Sequence, residues 1–108
     1  MSTTLSEPLK AYFDAKNRHD IDAMLAPFAA DAVVKDEGEE RRGLAAIRAW
    51  LDETNRKYRP TAEVTDVAAT GGWTIVTAAI SGDFPGSPAQ LRFAFALEAG
   101  KVARLEIE

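Results

Sequence analysis

The chain contains no cysteine. That excludes a disulfide framework, a thiolate metal site and a cysteine nucleophile, and leaves the redox compartment open. It has one histidine, His19, and a lone imidazole without thiolates is a poor start for zinc; no metal is expected. No apolar run approaches the ~18 residues needed to span a bilayer. The opening Met1-Ser-Thr-Thr-Leu-Ser-Glu-Pro8 lacks the basic region and apolar core of a secretory signal. A cytoplasmic protein with no membrane partner is the expectation. Positive charge is also in deficit, with 13 Lys and Arg against 17 Asp and Glu, a net charge of −4. Such a surface repels phosphates, so nucleic acid is not an expected partner. Arg41-Arg42 does not reverse this, because Asp36, Glu37, Glu39 and Glu40 surround it.

Two further motifs are absent. Gly71-Gly72 has the look of a hairpin turn, and Gly38 and Gly43 lack the lysine and spacing of a phosphate-binding loop. No serine sits in a nucleophile-elbow sequence, and the sequence does not support covalent catalysis. No cofactor is implied.

What is present is an ordinary globular composition, 46% apolar and 28% charged over 108 residues. That length suits one domain, residues 1–108, able to bury a core without metal or disulfides. No internal repeat, linker or low-complexity segment divides it.

The chain is organised around Asp31-Ala-Val-Val-Lys-Asp36, a short half-buried strand followed by a charged connection between Gly38 and Gly43. Before it, Ser6-Glu7-Pro8 signals a helix start. Leu5, Leu9, Tyr12, Phe13 and Lys16 then recur at helical spacing along one buried face. Asp20 caps a second, shorter helix carrying Ile21, Met24, Leu25 and Phe28, with Pro27 near its end. In the strand, Ala32, Val34 and Asp36 share one face and Val33 and Lys35 the other. A third helix from Leu44 to about Lys57 aligns Leu44, Ile47, Leu51, Thr54 and Tyr58, flanked by Trp50, until Pro60 forbids its continuation.

From Thr61 the period changes to two. Thr61–Thr70 and Trp73–Gly82 form a hairpin across Gly71-Gly72. Pro85-Gly86 suits a type II bend. Gln90–Glu98 alternates, with Leu91, Phe93, Phe95 and Leu97 on one side, and Ala99-Gly100-Lys101 turns the chain into Val102–Glu108. The expected fold is α+β, three N-terminal helices packed on a curved, mostly antiparallel sheet. Helices lying across a concave sheet leave a pocket between them. The other sheet face carries small residues such as Ala94 and Ala96, either solvated or paired with a second copy.

Taken together, Tyr12-Phe-Asp-Ala-Lys-Asn-Arg-His-Asp20, Phe28-Ala-Ala-Asp31-Ala-Val-Val-Lys-Asp36, Arg42-Gly43-Leu-Ala-Ala-Ile47 and Leu97-Glu-Ala-Gly100-Lys101-Val102 resemble the nuclear transport factor two-like superfamily. The similarity is greatest to its SnoaL-like and ketosteroid-isomerase-like branch and covers nearly the whole chain. It implies a cone-like fold with an apolar cavity, and a homodimer formed through the outer sheet face. It also implies that Asp36 occupies the place of the carboxylate base and Tyr12 that of the tyrosine donating to a developing oxyanion. The second acid of such an oxyanion site has no counterpart, its place being taken by about Phe93.

The residues leave alternatives open. Proton transfer beside a carbonyl needs a base and a donor for the enolate oxygen. Asp36 fits the base if it faces the cavity with Val34, where burial raises a carboxylate's pKa. It is otherwise part of a solvated acidic loop. Tyr12 is either that donor or a core tyrosine on the helix's apolar stripe. Phe28, Trp50, Trp73, Phe93 and Phe95 are core residues or cavity walls, since both use the same side chains. Three functions follow: an apolar small-molecule-binding protein with isomerase, cyclase or lyase chemistry through Asp36, a non-catalytic carrier, or a structural homodimer with a filled cavity.

Overall fold

Local signals account for most of the architecture. The computed structural model describes residues 4–108, in the order α1 (Glu7–Arg18), α2 (Ile21–Leu25), β1 (Phe28–Asp36), β2 (Glu39–Arg42), α3 (Leu44–Tyr58), β3 (Thr61–Thr70), β4 (Trp73–Ser81), β5 (Ala89–Glu98) and β6 (Lys101–Ile107). Ser6 stands at the N-cap of α1 with Pro8 in the first turn, although its hydroxyl makes no capping bond. The helix ends where His19 turns left-handed at φ 56°. Asp20 then caps α2 through its carboxylate, which accepts from the Ala23 amide at 3.1 Å.

The strands form one six-stranded sheet in the order β2-β1-β6-β5-β4-β3. β1 runs parallel to β6, and the remaining neighbours are antiparallel. Register shifts interrupt β1 between Phe28 and Val33, β3 between Val64 and Asp66, and β5 against β6 between Ala96 and Leu97. Extra residues of this kind bend a strand and increase its twist, which gives the sheet its concave side.

Two expectations need correction. The segment expected as a charged connection is strand β2, paired with β1 from Val33↔Arg42 to Asp36↔Glu39. Its four residues are all charged, so it lacks the alternation that marks a half-buried strand. It is an edge strand, and edges tolerate charge because one side of the backbone meets solvent. Consequently α3 follows a β-hairpin, and only α1 and α2 precede the sheet. β1 also begins at Phe28, three residues before Asp31.

α1 and α3 cover the concave face. Leu9, Tyr12 and Phe13 from α1 and Ile47, Trp50 and Leu51 from α3 meet Val76, Ala78, Ile80, Phe93, Phe95, Val102 and Leu105 in one apolar core. Its centre is aromatic: Tyr12 meets Phe13 edge-on at 5.1 Å and Phe95 at 5.7 Å, while Phe13 meets Phe93 at 5.3 Å. Edge-to-face packing places ring hydrogens against the negative ring face and holds the side chains in fixed orientations. On the convex face Ile75, Thr77, Ala79, Ala94 and Ala96 are half-buried. Among the described residues no helix is long and apolar enough to cross a membrane.

Candidate active site

The aromatic core does not fill the space beneath the helices. A cavity of about 360 Å³ opens between the end of α1, the outer turns of α3, the end of β1 and the β4–β5 connection. Its floor is apolar, made by Ile80, Leu91, Phe93 and Ile107, with Phe84 at one side. Its rim is charged, with Glu37, Arg41, Glu53 and Lys57. A mostly apolar recess with a few placed polar groups is the usual form of a small-molecule site.

Asp36 enters this cavity from the last position of β1, where pairing to Ile107 of β6 and Glu39 of β2 fixes its backbone. One carboxylate oxygen accepts a 3.1 Å hydrogen bond from the indole Nε1 of Trp50, itself 6% exposed on α3. A strand end and a helix therefore aim the same carboxylate. An indole N–H donates but does not accept, so it orients the carboxylate and leaves its other lone pairs open to a ligand.

Lys16 reaches the cavity from α1. It is 9% exposed, and its Nζ makes neither hydrogen bond nor ion pair among the described residues. The Nζ lies 6.0 Å from the centre of the Tyr12 ring, at the outer limit of a cation–π contact. Burial pushes the Lys16 ammonium down to about 8, and the Asp36 charge opposes part of that fall. The end of α1 is held by Asn17, whose side-chain amide donates to the Ala62 carbonyl at 2.9 Å and accepts from the Ala62 amide at 2.6 Å.

One turn earlier, Tyr12 is 0% exposed. Its hydroxyl has no partner among the described residues. Burial and then the Asp36 charge push its pKa well above the usual phenol range. The phenol stays protonated and able to donate.

The structure brings Asp36, Trp50 and Phe93 together on the cavity wall. Tyr12, Val34 and Phe95 stand behind it in the core. Phe28 borders a separate shallow depression with Leu25, Leu44 and Lys101, and Trp73 lies at the β3–β4 hairpin beside Leu97. His19 sits outside the cavity, its Nδ1 3.4 Å from the Arg59 guanidinium. Sequence reasoning put Lys16 on the inward stripe of α1 yet gave it no role. A lysine at an inward helical position was the available signal, since lysine is seldom buried without a partner. Among the described residues no group of three metal-ligating side chains gathers.

The α+β scaffold thus presents an apolar cavity under a helical cover, with a carboxylate at the end of the first strand. A model of the SnoaL-like domain matches residues 9–105, and the chain belongs to that family. The crystal structure of a candidate polyketide cyclase from Sinorhizobium meliloti is 39% identical, with a TM-score of 0.91 over 96% of this chain and 95% of that one. A candidate polyketide cyclase from Xanthomonas campestris pv. campestris is 27% identical, with a TM-score of 0.75 over 93% and 85% of the two chains. A ketosteroid isomerase-like fold from Catenulispora acidiphila, solved with trimethylamine, superposes with a TM-score of 0.83 over 97% and 86% at 19% identity, a likeness of fold alone. No curated protein matches the sequence.

Proposed function

We propose that the protein binds an apolar carbonyl compound in the cavity and moves a proton on it, as a cofactor-independent isomerase, cyclase or lyase. The observation that carries this reading is the Asp36 carboxylate on the wall of an apolar cavity, oriented by the Trp50 indole. Asp36 takes a proton from the carbon beside the carbonyl, and charge develops on the carbonyl oxygen. Tyr12, kept protonated by burial and by Asp36, stands behind the cavity wall with its hydroxyl fully buried, and in this reading it is a core tyrosine that does not touch that oxygen. Phe93 and its apolar neighbours exclude water and hold the carbon skeleton. The similarity to candidate polyketide cyclases supports a substrate with activated carbon–hydrogen bonds. The half-buried Ile75, Ala79, Ala94 and Ala96 on the convex sheet face support a homodimer through that face.

The test is a thermal-shift screen of enones, phenols, lactones and aromatic acids on the natural protein and on Asp36→Asn. A ligand at a hundred times its dissociation constant adds about 2.7 kcal/mol, a shift on the order of 10 °C for a domain this size. Stabilisation that changes in Asp36→Asn, together with exchange of the ligand's α-hydrogen, supports the reading. Stabilisation indifferent to the substitution favours a carrier, and no shift with any compound retires the catalytic assignment for these ligand classes and leaves the structural homodimer.

A further inference from the structure

We propose that Lys16 is an amine nucleophile that captures an aldehyde or ketone in the cavity as a Schiff base. The inference deepens the proposed function and rests on the cavity's taking a carbonyl compound. It starts from a placement: Lys16 is mostly packed away on the cavity wall, has no hydrogen bond or ion pair among the described residues, and its Nζ is not sealed off but open to the cavity. Asp36, Glu37 and Glu53 line the same cavity as Lys16, Arg41 and Lys57, so its formal charges balance and an uncharged carbonyl compound enters without a net field against it.

The environment disfavours the charged form of Lys16, whose pKa falls to about 8 through burial. At neutral pH roughly a tenth of such an amine is neutral, on the order of a hundredfold more than for an ordinary lysine. Desolvation in an apolar pocket is the recognised route to a nucleophilic lysine. The second requirement is a proton carrier. Asp36 lines the same cavity beyond ion-pairing distance of Lys16, with the remaining carboxylate oxygen free of the Trp50 bond.

The step balances without a co-reactant. The Nζ lone pair adds to the carbonyl carbon as the C=O π pair moves onto oxygen, and one amine proton passes to that oxygen through Asp36. The nitrogen lone pair then forms C=N, and the hydroxyl leaves as water with the second amine proton. The products are an imine and one water.

The experiment uses the full chain with cyclohexanone or benzaldehyde and sodium borohydride, followed by intact mass and peptide mapping. The expected result is one adduct on Lys16, formed about tenfold or more faster than on Lys10, Lys35, Lys57 or Lys101. Its rate rises up to a pH of about 8 and then levels. Lys16→Met, checked for folding by its thermal transition, loses that adduct and keeps the slow surface background. Labelling spread evenly over the lysines, or unchanged in a folded Lys16→Met protein, overturns the proposal. So does an absence of any adduct while the same ketone stabilises the protein. The natural protein separates the two readings: Lys16 labelling without exchange of the ketone's α-hydrogen sustains the Schiff base and refutes Asp36 as the carbon base. Asp36-dependent exchange without Lys16 labelling does the reverse.

Discussion

Replacing Lys16 by methionine should make the protein more stable, which is unusual for a buried position. The lysine's pKa falls from 10.5 to about 8 on folding. At about 1.36 kcal/mol per unit, keeping the ammonium in the fold costs roughly 3 kcal/mol. The sign follows from proton binding. Between the folded value of about 8 and the unfolded value of 10.5 the unfolded chain holds the extra proton, so stability rises with pH through that window and the cost is fully present below it. Tyr12 acts in the opposite sense at higher pH. Its raised folded value means that stability falls once an unfolded tyrosine ionises, near pH ~10.

Methionine occupies similar space without charge, and exchange of a buried charge for a well-packed apolar side chain often stabilises by about 1–4 kcal/mol. We expect Lys16→Met to gain about 2 kcal/mol at neutral pH and to lose the upward slope between pH ~8 and ~10. Urea denaturation of both proteins across that range measures this directly. A variant less stable than the natural protein at neutral pH, or a natural protein with a flat profile from pH ~8 to ~9.5, would refute the electrostatic reasoning.

Two other perturbations examine the frame around the cavity. At Gly82 an added Cβ would lie 2.5 Å from the Tyr58 carbonyl oxygen, which also accepts from the Asp83 amide at 2.7 Å. Gly82→Ala should therefore cost about 1–3 kcal/mol in chemical denaturation, and a cost near zero would mean that this strand end yields freely. Leu105, 0% exposed at the centre of β6, leaves a cavity on truncation, and Leu105→Ala should lower unfolding free energy by about 2–5 kcal/mol.

The apparent economy of the site comes from sharing elements with the core. Trp50 belongs to the core on one side and donates to Asp36 on the other. Phe93 packs against Phe13 while forming the cavity floor. A substitution at either position should weaken both stability and ligand binding, whereas Lys16→Met is expected to raise stability while removing the amine from the cavity.

By itself the sequence determined the features whose causes are local. Asp20 caps α2, Pro60 stops α3, Gly71-Gly72 closes a hairpin, and the alternation in Gln90–Glu98 sets which of its side chains face inward. Each depends on residues a few positions apart, and so did the expectation of a cavity between helices and a concave sheet. Asp36 on the face of Val34 was legible for the same reason, although the pattern also fitted a solvated loop. The tertiary structure alone decided β2, because four charged residues become a strand only when β1 offers a partner. It decided the parallel pairing of β1 with β6, which joins segments far apart in the chain. It also decided that Trp50 donates to Asp36, and that a lysine on an otherwise apolar stripe ends on a cavity wall with no hydrogen bond or ion pair among the described residues. Hydrogen-bond partnership and burial are properties of surfaces brought together from distant positions, and no window of neighbouring residues contains them.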